Sequence, residues 1–68
     1  MSAKGKFLVF CLEIYKSRKN LTGKQVIKLF KNYEIIDYIL SCYEALHTTG
    51  ENYIIEDIDE FIKARRSA

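Results

Sequence analysis

The chain has 68 residues, a formal net charge of +2 and a hydrophobic fraction of 49%. This length predicts a single domain, residues 1–68 with a core in about residues 5–65, and leaves no room for a second hydrophobic core. Its apolar run nearest the N-terminus, residues 7–12, is too short for an export signal or a membrane span, so we expect a soluble cytoplasmic protein.

Charge is divided unevenly along the chain. Residues 1–33 hold eight lysines and arginines and one acid, Glu13, whereas residues 34–68 hold three cations and eight acids. The first part therefore carries +7 and the second −5. Two oppositely charged halves favour docking, either onto a partner or onto a second copy of the chain.

The first two predicted helices cover about residues 4–19 and 23–33. Apolar residues surround most of the first helix, which is typical of a helix buried on most sides. Because a small domain has few elements to cover it, we expect part of this surface to meet another chain. Thr22 and Gln25 have the spacing of a capping box at the start of the second helix.

A third helix is predicted over about residues 36–47, ended by Gly50. Residues 53–55 are then expected as a short extended segment that enters the core, and the sequence leaves open whether it pairs as a strand. Asp57 and Glu60 suggest a capping box for a fourth helix, which ends near Arg65 and Arg66. Together these elements predict an all-α domain of four helices with the first at its centre.

Lys24, Lys28 and Lys31 form a lysine stripe on the second helix, opposite its apolar face. The order of helices resembles a helix-turn-helix, so one interpretation of the stripe is a contact with DNA. A DNA-reading helix needs donors for base edges, however, and the third helix offers Asp37, Ser41 and Glu44 on its polar side. The alternatives are a solvated face or a protein-docking face.

Acidic residues cluster in the second half of the chain, where Glu56, Asp59 and Glu60 are the candidates for contact with a basic partner. Apolar residues interrupt this cluster and it lacks the glycine of a calcium loop, so helix capping and solubility are the simpler explanation. Tyrosine is favoured at interfaces, and we expect Tyr38 and Tyr53 to be partly exposed.

No set of residues in the sequence suggests catalysis, a cofactor or a metal. Two cysteines thirty-one positions apart and one histidine do not supply a zinc set. Cys11 and Cys42 lie in apolar helical stretches and are expected as free thiols. His47 is interpreted as the end of a helix, with part of a recognition loop as the alternative.

Three stretches of the chain resemble a family of small bacterial helical proteins known as a domain of unknown function. They read FLVFCLEIYK, LTGKQVIKLFKNY and IIDYILSCYEALHTTGENYIIEDIDEFI. The resemblance covers about residues 7–62 and is most specific over residues 43–59. It implies a compact helical module with no catalytic residues. Similar proteins are often encoded beside larger proteins that resemble ADP-ribosyltransferases, which implies a partner or antitoxin-like role.

The sequence therefore predicts a non-enzymatic protein–protein interaction module, either a homodimer or the subunit of a heterologous partner. The over-apolar first helix and the two charged halves are the grounds for this prediction. A helix-turn-helix-like DNA-binding regulator is the alternative function.

Overall fold

The computed structural model describes residues 2–67, and the side chains of residues 2–66. Five helices and no strand occur in this part of the chain. The helices are α1 Ala3–Lys19, α2 Gly23–Asn32, α3 Ile35–Ser41, α4 Tyr43–Leu46 and α5 Glu51–Ser67. The all-α prediction is confirmed, and four of the helices have seven residues or more.

The α1–α2 junction is built by local hydrogen bonds. Asn20 has φ 57° and ψ 47°, the left-handed conformation that commonly ends a helix. The amides of Asn20 and Leu21 donate to the carbonyls of Ser17 and Lys16 at 3.3 and 2.9 Å, which is the Schellman arrangement. The last carbonyls of α1 are thereby satisfied.

The predicted capping box at the start of α2 is confirmed. The Gln25 amide donates to Thr22 Oγ1 at 3.1 Å, and the Thr22 amide donates to Gln25 Oε1 at 2.9 Å. Two donors at the helix terminus are satisfied by one threonine and one glutamine. Because the Schellman turn leads directly into this box, residues 16–25 fix where the chain reverses.

The predicted third helix is divided in two. Cys42 has φ −101° and ψ 16°, outside the helical region, and separates α3 from α4. After this break the Tyr43 ring lies edge-on to Phe7 with 5.5 Å between ring centroids. The start of α3 is set by Glu34, whose φ of 56° turns the chain out of α2.

The prediction of an extended segment at residues 53–55 is wrong, since α5 begins at Glu51 and includes these residues. The Ile54 amide donates to the Gly50 carbonyl at 3.1 Å in the first turn. Isoleucine favours strands, but Ile54, Ile58 and Ile62 are spaced by four residues and form one buried helical stripe. The expected Asp57–Glu60 capping box is also wrong, because both residues lie inside α5.

The core is almost entirely apolar, and α1 packs against α2, α3 and α5. None of the described residues buries a polar or charged side chain completely. The buried core residues are Cys11, Ile14, Tyr15, Val26, Phe30, Ile35, Ile39, Ile54, Ile55, Ile58 and Ile62. The predicted central position of the first helix agrees with this packing.

Part of the apolar surface of α1 stays uncovered, as its composition predicts. Val9 and Phe10 are 44% and 45% exposed. Phe10 extends an aromatic cluster in which Phe7 contacts Tyr43, and Tyr43 stacks on His47 with 4.4 Å between ring centroids. No described helix is both long and apolar enough to cross a membrane.

Candidate interaction surface

Two tyrosine–aspartate hydrogen bonds hold the two flanks of α5 against the rest of the domain. On one side of α5, Tyr15 Oη donates to Asp59 Oδ1 at 2.6 Å, and Lys19 Nζ lies 2.8 Å from Asp59 Oδ2. On the other side, Tyr38 Oη donates to Asp57 Oδ2 at 2.5 Å. The outward face of α5 is therefore held in a defined direction.

The environment of both phenols favours their neutral form. Burial raises the pKa of Tyr15 and Tyr38, and the hydrogen bonds to Asp59 and Asp57 raise the pKa values further. Tyr38 also stacks on Phe61 with 4.1 Å between ring centroids. Both tyrosines therefore act as hydrogen-bond donors up to alkaline pH.

The predicted lysine stripe lies on the solvent face of α2. Lys24, Lys28 and Lys31 are exposed, and their amines form no ion pair or hydrogen bond with any residue that the structure describes. Ile27 stands among them with 45% of its surface exposed. With Asn32 these side chains line a shallow depression of about 350 Å³. We call Lys24, Ile27, Lys28 and Lys31 the basic face.

A second depression, of about 230 Å³, lies on the solvent face of α5. It is lined by Tyr53, Glu56, Asp57 and Glu60, which we call the acidic face. Tyr53 is 55% exposed, which agrees with its predicted exposure. Glu56 and Glu60 form no ion pair within residues 2–66.

Six of the eight predicted contact residues lie on these two faces. Lys24, Lys28 and Lys31 share one face of α2, as predicted. The predicted residues on the acidic face of α5 are Tyr53, Glu56 and Glu60. Asp59 points instead to α1, where Tyr15 and Lys19 occupy its carboxylate. Tyr38 is half-buried beneath the acidic face and holds Asp57.

Sequence reasoning missed Ile27 as a surface residue. The spacing predicts its position, because Ile27 follows Lys24 by three residues and precedes Lys31 by four, which places it on the same side of the helix. An isoleucine surrounded by lysines on one side of a helix predicts an exposed apolar contact. The two tyrosine–aspartate pairs are separated by 44 and 19 residues and have no local signal.

A third depression, of about 290 Å³, lies where α1, α2 and α5 meet. Tyr15, Asp59 and Arg66 line it, and Arg66 Nε donates to Tyr33 Oη at 3.0 Å. Leu29, Ile62 and Lys63 complete its lining. Since Asp59 and Arg66 already have partners inside the chain, their contacts in this cleft hold α5 against the rest of the domain.

The remaining reactive groups are separate from both faces. Cys11 and Cys42 are free thiols, and burial raises the pKa of Cys11 to about 12. His47 is exposed at the end of α4 and its Nδ1 lies 2.8 Å from the Tyr43 carbonyl. Among the described residues no group of three or more His, Cys, Asp or Glu is placed to hold a metal ion.

Comparison with known families gives a match over most of the chain. The family model described as "Protein of unknown function (DUF3791)" matches residues 6–65. This range contains both faces and both tyrosine–aspartate pairs. No curated protein and no solved structure matches the chain.

Proposed function

We propose that the chain, which belongs to the family described as Protein of unknown function (DUF3791), is a small non-enzymatic protein–protein interaction module. Its contact surface is the basic face of α2, and the partner offers an acidic surface. One form of such a module is the partner or antitoxin-like subunit of a gene pair.

One observation carries this proposal: the basic face combines exposed apolar surface with charges that have no partner in the chain. Ile27 supplies the apolar contact, and Lys24, Lys28 and Lys31 surround it. Protein interfaces combine an apolar centre with a polar rim, and charge on the rim selects the partner and accelerates its approach.

The reactive groups outside the basic face are not arranged as a catalytic pair, which supports a binding role. Cys11 is buried with a raised pKa, and the His47 ring is stacked on Tyr43. Neither group is hydrogen-bonded to a second catalytic group, as a nucleophile and its base would be. Free Cys11 and Cys42 also fit the reducing cytoplasm, which is where we place the module.

DNA binding is the second candidate function, because the unpaired lysines of α2 would also attract phosphate. The helix that would read bases is α3, which contains Asp37 and no lysine, arginine, asparagine or glutamine. A carboxylate at this position repels phosphate, and the exposed side-chain donors for base edges in this helix are limited to the Ser41 hydroxyl. The protein-binding function is therefore the better supported of the two.

The test compares two variants with the same charge change. Lys24→Glu/Lys28→Glu alters the basic face, and Lys4→Glu/Lys6→Glu alters exposed lysines of α1 that lie outside it. Each tagged variant and the wild type is expressed in cells of the natural host, and the retained proteins are identified by mass spectrometry. We expect at least one protein that the wild type and the α1 control retain and the α2 variant loses. Direct binding of that purified protein is then measured by calorimetry.

The same three proteins are applied to duplex DNA of the gene's own promoter at low salt. One outcome favours the DNA-binding function over the interaction module. In this outcome the wild type retains DNA, the α2 variant does not, and no protein partner is found. Identical protein profiles for all three chains, together with a wild type that does not associate with itself, would show that the basic face is not a contact surface.

A further inference from the structure

The charges of the two halves are only partly used inside the fold. Lys19 pairs with Asp59 at 2.8 Å, and Arg18 lies 3.5 Å from Glu51. These contacts join α1 to α5. The charges that remain without a partner in the described chain include the three lysines of the basic face and the two glutamates of the acidic face.

The two faces have the same dimensions along their helices. Each consists of four side chains at positions i, i+3, i+4 and i+7, which follow one side of an α-helix for two turns. The basic face holds residues 24, 27, 28 and 31, and the acidic face holds residues 53, 56, 57 and 60. Two helix surfaces of equal length and opposite charge can therefore be placed side by side.

Each face also contains one exposed apolar side chain and a depression. Ile27 is 45% exposed beside three lysines, and Tyr53 is 55% exposed beside three carboxylates. A tyrosine ring that enters the basic face gains contact with lysine stems and attraction to their ammonium groups. Ile27 in turn gains apolar contact from the acidic depression and the Tyr53 ring.

We propose that the basic face of α2 binds the acidic face of α5 in a second copy of the chain. This inference rests on the proposed function, since it names the partner of the same basic face. Charge complementarity favours a second copy, because the chain carries both members of the pair and its net charge is only +2.

The geometry determines what kind of association results. The faces are unlike, so a single contact leaves one free basic face and one free acidic face. The association therefore either closes as a two-fold dimer with both contacts formed, or continues head to tail. Four side chains on each face are fewer than the roughly 20 to 30 residues of a standard interface, so we expect weak, salt-sensitive association.

The first measurement is the molar mass of the wild type by light scattering, from about 10 µM to about 1 mM, a range that detects dissociation constants weaker than micromolar. At low salt we expect the mass to rise with concentration above the 8.0 kDa of one chain. Raising the salt to about 0.5 M, where the Debye length is below about 5 Å, should weaken association at least tenfold.

The second measurement is a charge-reversal exchange. Lys24→Glu/Lys28→Glu gives a chain with two acidic faces, and Glu56→Lys/Glu60→Lys gives a chain with two basic faces. Asp57 is left unchanged because Tyr38 binds its carboxylate. We expect each variant alone to stay monomeric and a 1:1 mixture to associate as the wild type does. Rescue on mixing also shows that both variants are folded.

Matched controls change the same charges elsewhere on the surface. Lys4→Glu/Lys6→Glu and Asp37→Lys/Glu44→Lys alter exposed residues outside both faces. These controls should associate with the wild-type affinity. Circular dichroism of every variant confirms its helical content.

Three results would overturn the second-copy partner. The first is a wild type that stays monomeric up to about 1 mM. If the α2 lysines still capture another protein in that case, the proposed interaction module is retained and only the second-copy partner is excluded. Association that survives high salt and both reversals would instead assign the contact to the uncovered apolar surface of α1. Association abolished by the α2 reversal and not restored by mixing would exclude the acidic face.

Discussion

Single hydrogen bonds between phenols and carboxylates hold the two flanks of α5. Asp59 and Asp57 lie two residues apart, on opposite flanks of the helix, and accept from Tyr15 and Tyr38. The buried stripe of Ile54, Ile58 and Ile62 sets which side of α5 faces the core. The two hydrogen bonds hold the flanks of the helix and so stabilise the outward direction of its exposed side chains.

We predict that Tyr15→Phe lowers the free energy of unfolding by roughly 1 to 2 kcal/mol, somewhat less than the roughly 1.5 to 3 kcal/mol of a hydrogen bond to a charged group, because the Asp59 carboxylate keeps partial access to water. Phenylalanine preserves the edge-on ring contact with Phe30, where the ring centroids are 5.6 Å apart. The measurement is urea denaturation followed by circular dichroism. Tyr53→Phe is the matched control, because Tyr53 is exposed and makes no described hydrogen bond, and its variant should equal the wild type.

The same pair makes stability depend on alkaline pH. The pKa of Tyr15 is raised in the folded chain, so above about pH 10 the unfolded chain loses this proton first. The stabilisation is complete below pH 10 and declines as pH rises toward the folded pKa. The stability difference between the wild type and Tyr15→Phe should therefore shrink above pH 10. A constant difference across this range would contradict the assignment.

At the scale of elements, local sequence signals located some boundaries and misplaced others. The junction of α1 and α2 follows from Asn20, Thr22 and Gln25, whose hydrogen bonds are all made within a few residues. The start of α5 depends instead on burial of Ile54 and Ile55 against other helices. Isoleucines suggest a strand when they are considered singly and a helix when their spacing with Ile58 is included.

We predict that Asn20→Ala lowers the free energy of unfolding by about 1 kcal/mol, because alanine is strained at a φ of 57°. Asn20→Gly is the matched variant, and it should be equal to the wild type or up to about 0.5 kcal/mol more stable. Both are measured by urea denaturation. Equal stability of the alanine and glycine variants would show that the left-handed turn is not retained in solution.

At the scale of the whole molecule, the described part of the chain measures 30 × 24 × 20 Å, and α1 lies among three other helices. A domain of this size has too few elements to surround its central helix completely. Val9 and Phe10 consequently remain exposed. The charged side chains are likewise only partly paired. Among the described residues, two ion pairs join α1 to α5, and the basic and acidic faces remain exposed to solvent.

We predict that Cys11 reports opening of the whole domain. It is completely buried, and its thiol has a pKa of about 12, so iodoacetamide at neutral pH should modify it only after unfolding. In a Cys42→Ser variant, modification should be at least about 100-fold slower in buffer than in concentrated urea. Cys42 in a Cys11→Ser variant is half-buried and should react faster in buffer. Equal rates for the two thiols would contradict the packing of α1.

The sequence by itself determined the helical class, the central first helix, the capping box and the lysine stripe. These features depend on the spacing of residues and on contacts within a few positions, and both can be read directly from the amino-acid sequence. Tertiary structure alone decided that α3 and α4 separate at Cys42, that α5 begins at Glu51 and that Asp59 is held by Tyr15 and Lys19. Such contacts join residues up to 44 positions apart. They arise only when packing of the apolar faces brings those residues together.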